Sequence, residues 1–354
     1  MDACVQIFSP YGKLFPTFLV QFAENTYLCN SIANNTEEMK PTLIALTVFT
    51  LGLLASCGGN QQQDAAYQEQ CRYFAADESL SPVIDEELDI FHMKSKRDSI
   101  LPLYISEQEA IEKLMNQEVL LVFTTRALTP NEEQTLKDLK YNPRTIALAY
   151  DGLALIVNKA NPDSMITVDQ FRKIMAGEAT KWTDIYPTSK LGNIKMVFDN
   201  PRSATVRFCA DSIMQGKAIK TDGGNVQAAN TSAEVVDYVE KHENAIGVVG
   251  SIWLDDQRDS TNLIHNRTIK VMRVSRAGEA TKANSYTPDQ YNIAYNYYPF
   301  IRTIYALCID PRSTGVPRAF SNFCWLPNPG QLIFFHAGLF PARADYSVRD
   351  VEIK

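Results

Sequence analysis

The chain has 354 residues, 45% hydrophobic and 21% charged, with 16 glycines and 17 prolines, an ordinary globular composition with enough apolar material for two domains. A formal net charge of −7 and the lack of any Lys/Arg-rich run exclude nucleic acid as the partner, because binding a phosphate backbone needs a basic face. A small anion stays open as a ligand, since backbone N–H groups and hydroxyls at helix N-termini hold anions without net positive charge.

The first informative segment begins at Met39. Lys40 supplies a short positive region, Leu43 to Leu54 is an apolar run too short for a comfortable membrane span, and Leu54-Ala55-Ser56-Cys57 follows with small residues before a cysteine. That is the organisation of a secretory signal over 39–56. Its Leu-Ala-Ser-Cys ending resembles the bacterial lipobox, which implies that Cys57 is acylated and becomes the mature N-terminus. Residues 57–71, opening Gly-Gly-Asn-Gln-Gln-Gln after the cysteine, then read as a flexible tether. Because a signal peptide starts a chain, translation is expected to begin at Met39, with residues 1–38 an extension of the gene assignment. The seven cysteines form no C-x-x-C pair and have no histidine in metal spacing, so no zinc site is expected, and Cys308 and Cys324 read as buried thiols rather than a bridge.

From residue 72 onward strand-like runs alternate with capped amphipathic helices, the pattern of α/β layers. Ser106 to Glu109 opens a helix with Ala110, Ile111, Leu114 and Met115 on one face, and Val119 to Phe123 is a buried strand. Thr129-Pro130-Asn131-Glu132 caps a second helix whose apolar face is Leu136 and Leu139. Two strands, Thr145 to Tyr150 and Leu153 to Val157, are separated by Asp151-Gly152. Thr167 to Gln170 caps a helix carrying Phe171, Ile174 and Met175, with Gly177 at its left-handed end. Ile194 to Phe198 is a strand, and the helix from Ser203 places Val206, Cys209, Ala210, Ile213 and Met214 at helical spacing before Gly216. A helix begins at Thr231, strands follow at Ala245 to Ser251, Thr268 to Val274 and Thr303 to Ile309, and the tail is helical at Val316 to Leu326 and Gln331 to His336.

No G-x-S-x-G, H-E-x-x-H, Walker A or G-x-G-x-x-G pattern occurs, and none of the four histidines sits near a nucleophile, so no enzyme activity is expected. Four hydroxyl-rich loops at strand ends are the candidate site, because open α/β sheets bind ligands beyond the carboxyl ends of their strands. The strongest runs from Asp199 to Arg207: Ser203, Thr205 and the free N–H groups of the first helical turn favour an anion, and Arg207 one turn in can add a charge-assisted bond. The others are Asp77 to Pro82, Thr124-Thr125-Arg126 and Asp151-Gly152.

Taken in order, these loops resemble the phosphate-binding proteins of PstS type and the wider PBP-like lipoproteins. The residues that carry the resemblance are Ser79-Leu80-Ser81-Pro82, Thr125-Arg126-Ala127-Leu128-Thr129, Asp151-Gly152 through Val157-Asn158 to Asn161-Pro162, Gly177 to Trp182, and Ser203-Ala204-Thr205. Ala245-Ile246-Gly247, Tyr298 to Arg302 and Gly330-Gln331 match later landmarks, so the resemblance spans about residues 72 to 340. It implies a two-lobed type II periplasmic-binding (Venus-flytrap) α/β fold that binds inorganic phosphate, or a related oxyanion, in the cleft between lobes. Ser79, the Leu80 N–H, Thr125, Asp151, Ser203, the Ala204 N–H, Thr205 and Arg207 would carry the site. Asp151 would accept the proton of hydrogenphosphate and so discriminate against sulfate.

Two departures stand out. Ala204 replaces the family's middle glycine, a change expected to hinder close backbone approach. Asp199 stands where members often carry arginine, a second acid that is costly near an anion unless it points away or is paired, for instance with Arg202 or Arg207. The resemblance further implies lobe one at 72–155 and 267–354, lobe two at 156–266, and no cofactor. The product would be a monomeric lipoprotein anchored through Cys57, facing the periplasm or exterior and delivering to ABC permease subunits. Another oxyanion, a phosphorylated metabolite, or a sensory lipoprotein without transport are the alternatives.

Overall fold

A computed structural model describes residues 58–95, 99–254 and 268–343, without the side chains of 58–63. The apolar run, Cys57 and residues 1–38 therefore lie outside the described residues. No described helix is long and apolar enough to cross a membrane. By internal contacts the chain divides at Ala65/Ala66, and the sheets and cores of the described residues all belong to the unit from Ala66 onward.

The first elements are helix α1 (Gly58–Arg72), strand β1 (Tyr73–Asp77), α2 (Ser81–Lys94), β2 (Leu101–Ile105), α3 (Glu107–Met115), β3 (Leu121–Thr124), α4 (Pro130–Asp138) and β4 (Arg144–Asn158). Next come β5 (Met165–Thr167), α5 (Val168–Met175), β6 (Lys195–Phe198), α6 (Ala204–Phe208) running into a π turn at Cys209–Ile213, β7 (Val226–Ala228), α7 (Ser232–Lys241) and β8 (Ala245–Gly250). The last are β9 (Ile269–Val271), β10 (Arg273–Ser275), β11 (Ser285–Tyr286), α8 (Gln290–Ala294), β12 (Ile301–Cys308), α9 (Val316–Trp325), α10 (Gly330–His336) and β13 (Phe340–Pro341). One mixed sheet has the order β2-β1-β3-β12-β4-β8-β6-β7, with β9 and β13 also paired to β4, and a second small sheet joins β11, β10 and β5.

Strand alternation builds the core on both faces of this sheet. In the first half, Phe74, Ala76, Leu121 and Phe123 point to a cluster completed by Leu80, Ile84, Phe320 and Phe334, while Ala75 and Val122 point to Ala110, Leu114 and Leu136. In the second half, Leu153, Leu155, Met196 and Ile246 meet Phe171, Trp182 and Met214, while Ala154, Ile156 and Val197 meet Val235 and Val239. Both halves are thus α/β/α layers, and β4 belongs to each: its first part pairs with β12 and its second part with β8 and β9.

Several boundaries differ from those expected. Asp151-Gly152 does not break a strand, because Asp151 is buried against charged partners and Gly152 meets the Pro288 side chain where a Cβ would come within 2.4 Å of it; β4 runs unbroken for 15 residues. The expected strand from 268 to 274 is two strands in two sheets, β9 pairing with β4 and β10 with β5. Met272, Val274, Tyr298 and Phe300 pack in the same cluster as Leu153 and Leu155. Leu139 is 46% exposed at the end of α4, since only Leu136 faces inward. The tether is helical from Gly58, and Tyr67 and Cys71 on α1 are buried against β3 and β12, with the Tyr67 hydroxyl donating to Asp310 at 3.0 Å. Cys71, Cys209, Cys308 and Cys324 are buried free thiols.

Glu87 on α2 is fully buried next to Cys324, and burial raises its carboxyl well above the usual range. A raised acid favours folding below its unfolded value of about 4.3, and that contribution is lost as pH rises through the folded value. Glu87→Met is therefore expected to stabilise the chain at neutral pH by about 1–2 kcal/mol and to flatten its stability profile above about pH 4.3, as read by urea denaturation at several pH values.

Candidate functional site

β1 ends at Asp77, whose side chain caps a single 3-10 turn over Glu78–Leu80. The turn is short because Pro82 starts α2 two residues on, and it leaves Ser79 buried at the sheet's carboxyl edge with Leu80 in the core beneath. β2 leads to Ser106, which caps α3 and presents the Glu107 N–H on the same edge. β3 delivers Thr125, and the turn after it is fixed by a paired Arg126–Glu132 contact and the Thr129–Glu132 capping box. From the other half, β6 delivers Asp199, and Ser203 caps α6 through the Val206 N–H.

These pieces meet on two carboxylates. Asp77 Oδ1 accepts from the Ser79 N–H (3.1 Å) and hydroxyl (2.5 Å), and Oδ2 accepts from the Glu107 N–H (2.9 Å) and the Ala204 N–H (3.0 Å). Glu107 Oε1 accepts from the Thr125 N–H (2.7 Å) and hydroxyl (3.1 Å), and Oε2 pairs with Arg207 Nε. Arg207 Nη2 also donates to Thr125 Oγ1 at 2.9 Å. The Ala204 methyl does not hinder close approach as expected, since the N–H beside it reaches the Asp77 oxygen at ordinary distance.

Behind them lies a buried ion pair. Arg302 on β12 stands opposite Asp151 on β4, and its Nε donates to Asp151 Oδ2 at 2.8 Å with both side chains fully buried. Asp151 Oδ1 accepts from the Ser251 N–H and hydroxyl at 3.0 and 2.7 Å, and Arg302 Nη2 donates to Ser79 Oγ at 3.2 Å. Gly250 lets the guanidinium in: a Cβ there would sit 2.7 Å from Arg302 Nη2. Arg302 Nη1 is buried with no hydrogen-bond partner among the described residues, a donor left over in the middle of the cluster.

Asp199 pairs with neither Arg202 nor Arg207. It accepts from Ser203 Oγ at 2.5 Å, while Arg202 binds both oxygens of Glu112 at 2.8 Å and Gln108 Oε1 at 3.1 Å. Burial, followed by the negative charge of Asp77, pushes the Asp199 carboxyl up to about 8, against the opposing pull of the Ser203 and Thr205 hydroxyls and of Arg302. Burial and the charge of Glu107 likewise raise Asp77. Burial thus favours the neutral form of this second acid. Outside the cluster a cleft of about 290 Å³ is lined by Glu107, Gln108, Arg126, Arg202, Ser203 and Arg207.

Of the residues singled out in the sequence, Ser79, Thr125, Ser203, Ala204 and Arg207 converge here and Thr205 is buried beside Asp199. Asp151 joins through Arg302 and Ser251 and does not point a free carboxylate at the cleft. Reading along the chain misses Asp77, Glu107 and Arg302 as site residues. An acid at a helix start reads as ordinary N-terminal electrostatics, so Glu107 carries no local signal. No group of three or more His, Cys, Asp or Glu among the described residues has metal-holding geometry.

The family described as PBP superfamily domain matches residues 66–325. Phosphate-binding protein PstS of Staphylococcus haemolyticus is 26% identical over 176 residues, covering 49% of this chain and 54% of the relative, and its Staphylococcus epidermidis counterpart is 23% identical over 221 residues, covering 61% and 66%. The match thus spans between half and two-thirds of these relatives' length. A Clostridium perfringens protein crystallised with bound phosphate superposes with a TM-score of 0.62 at 22% identity, covering 77% of this chain and 99% of that one. An ABC-type phosphate transport receptor from Vibrio cholerae gives 0.56 at 19%, covering 76% and 98%. At such identities the likeness establishes the two-lobed periplasmic-binding fold. With the family match extending over well more than half of the residues, this chain belongs to the PBP superfamily.

Proposed function

We propose that the chain is an extracytoplasmic solute-binding protein that captures inorganic phosphate for an ABC-type importer and has no catalytic role. The observation that carries this reading is that the donors at the sheet edge already hold an oxyanion: four N–H and O–H groups from three segments close on one carboxylate. An edge built to satisfy a carboxylate is built for phosphate, which offers more acceptor oxygens to the same donors and to the spare Arg302 Nη1. The phosphate-binding relatives support the ligand.

In this reading the lobes meet where β4 and β12 cross, near Gly152 and Ile301, and closure brings α6 against α3, with Arg202 and Glu112 on facing rims. Acylation at Cys57 would hold the monomer at the membrane beside its permease. The test is isothermal titration of the purified protein with phosphate and sulfate at neutral pH. Saturable phosphate binding at micromolar or lower Kd, with sulfate at least about a hundredfold weaker, is the expected outcome; equal affinity for the two anions, or heat from neither, defeats the assignment.

A further inference from the structure

Asp77 uses the Ser79 N–H and hydroxyl and the Ala204 N–H, which are groups that phosphate itself would need. It reaches them from within: the side chain is fully buried at the end of β1 and bridges the first half, through Ser79 and Glu107, to the second half, through Ala204. Glu107 does the same for Thr125 and Arg207 one step nearer the cleft. We propose that the Asp77 carboxylate is an intramolecular ligand that occupies the oxyanion position, so that phosphate enters only as Asp77 leaves.

This rests on the phosphate reading for the identity of the incoming anion, but not for the occupancy of the position. The physical reason is competition for a fixed donor set. Backbone N–H groups at the sheet edge cannot serve two anions at once, and a tethered carboxylate is present at high effective concentration. Phosphate must displace it, and its apparent affinity falls by the fraction of molecules in which Asp77 is seated. The seated carboxylate also bonds both halves together. Asp77 thereby sets a concentration threshold below which the protein holds itself and not phosphate.

The test separates occupancy from ligand identity. In Asp77→Ala the removed carboxylate leaves a space of formate size among intact donors. Formate at about 100 mM, against sodium chloride at equal ionic strength, is expected to raise the Tm of this variant by several degrees and to leave the wild type unmoved. Titration with phosphate should show the variant binding at least about tenfold more tightly than the wild type. Asp77→Asn, which keeps the shape but turns an NH2 toward the Glu107 or Ala204 N–H, serves if the alanine variant does not fold, and should also tighten phosphate binding. Equal formate responses in variant and wild type, or phosphate binding that is unchanged or weaker in a folded variant, overturns the proposal. If neither protein binds phosphate, the functional reading fails and the formate response alone decides whether Asp77 is the internal ligand.

Discussion

Arg302→Met is expected to lower folding stability by about 3–5 kcal/mol and to abolish phosphate binding, the largest single-residue effect in the site. The guanidinium is fully buried, pairs with Asp151, donates to Ser79 and lies within the field of Asp77 and Asp199. Removing it strands those carboxyls in a water-poor interior. They then take up protons or draw in water, and either response spoils the donor geometry at the sheet edge. Because Asp151 and Arg302 are cross-strand neighbours on the paired strands β4 and β12, the lesion also loosens that pairing. Urea denaturation measures the loss. Addition of Asp151→Asn is expected to recover a substantial part of the stability, because the orphaned charge goes with it, while binding stays lost. A single Arg302→Met variant that unfolds within about 1 kcal/mol of the wild type would show that the pair is not the electrostatic centre of the site.

Phosphate affinity is expected to fall by roughly tenfold per pH unit above about 8 in the wild type, and far less steeply in Asp199→Asn. Asp199 is raised to about 8 by burial and by the charge of Asp77, and it faces Arg302, the hydroxyls of Ser203 and Thr205, and the thiol of Cys209, itself raised by burial. The sign follows from the raised value: the protonated carboxyl is present below about 8 and is lost as pH rises through it, whereupon a buried negative charge confronts the incoming dianion. Titrations from about pH 6.5 to about pH 9.5 on both proteins cancel phosphate's own ionisation, which is common to the two. Parallel curves would falsify the role given to Asp199. The same linkage predicts that the wild type loses more folding stability than Asp199→Asn as pH rises from about 4 to about 8.

The two results share a cause. Four buried acids, Asp77, Glu107, Asp151 and Asp199, lie in one network with the buried Arg302 and the half-buried Arg207, so an anion can enter only if some of the acids are neutral or move. Fixed N–H groups discriminate by geometry, and the acids discriminate by proton content.

Most elements were legible along the chain, because short-range physics decides them. Thr129 with Glu132 and Thr167 with Gln170 are capping boxes in the structure as their spacing foretold, and Gly177 ends α5 at a positive φ of 70°. Apolar runs in β3 and β8 announced strands covered on both sides, and the four hydroxyl-rich loops were sought at strand ends because that is where an α/β sheet leaves its backbone groups unpaired. What no local pattern could decide was the fate of charges. Asp151-Gly152 has the composition of a turn, yet it continues β4, because Arg302, 151 residues away, neutralises the aspartate and Pro288 demands the glycine. Asp199 has arginines in reach along the chain and uses neither, because the fold brings it against Asp77 instead. Asp77 and Glu107 look like a loop acid and a helix-start acid; only the meeting of β1, α3 and α6 turns them into occupants of an anion site. Sequence alone determined where backbone donors would be free, since propensity and periodicity act over a few residues. Tertiary structure decided what fills them, since electrostatic pairing in a low-dielectric interior depends on distance in space and not on separation along the chain.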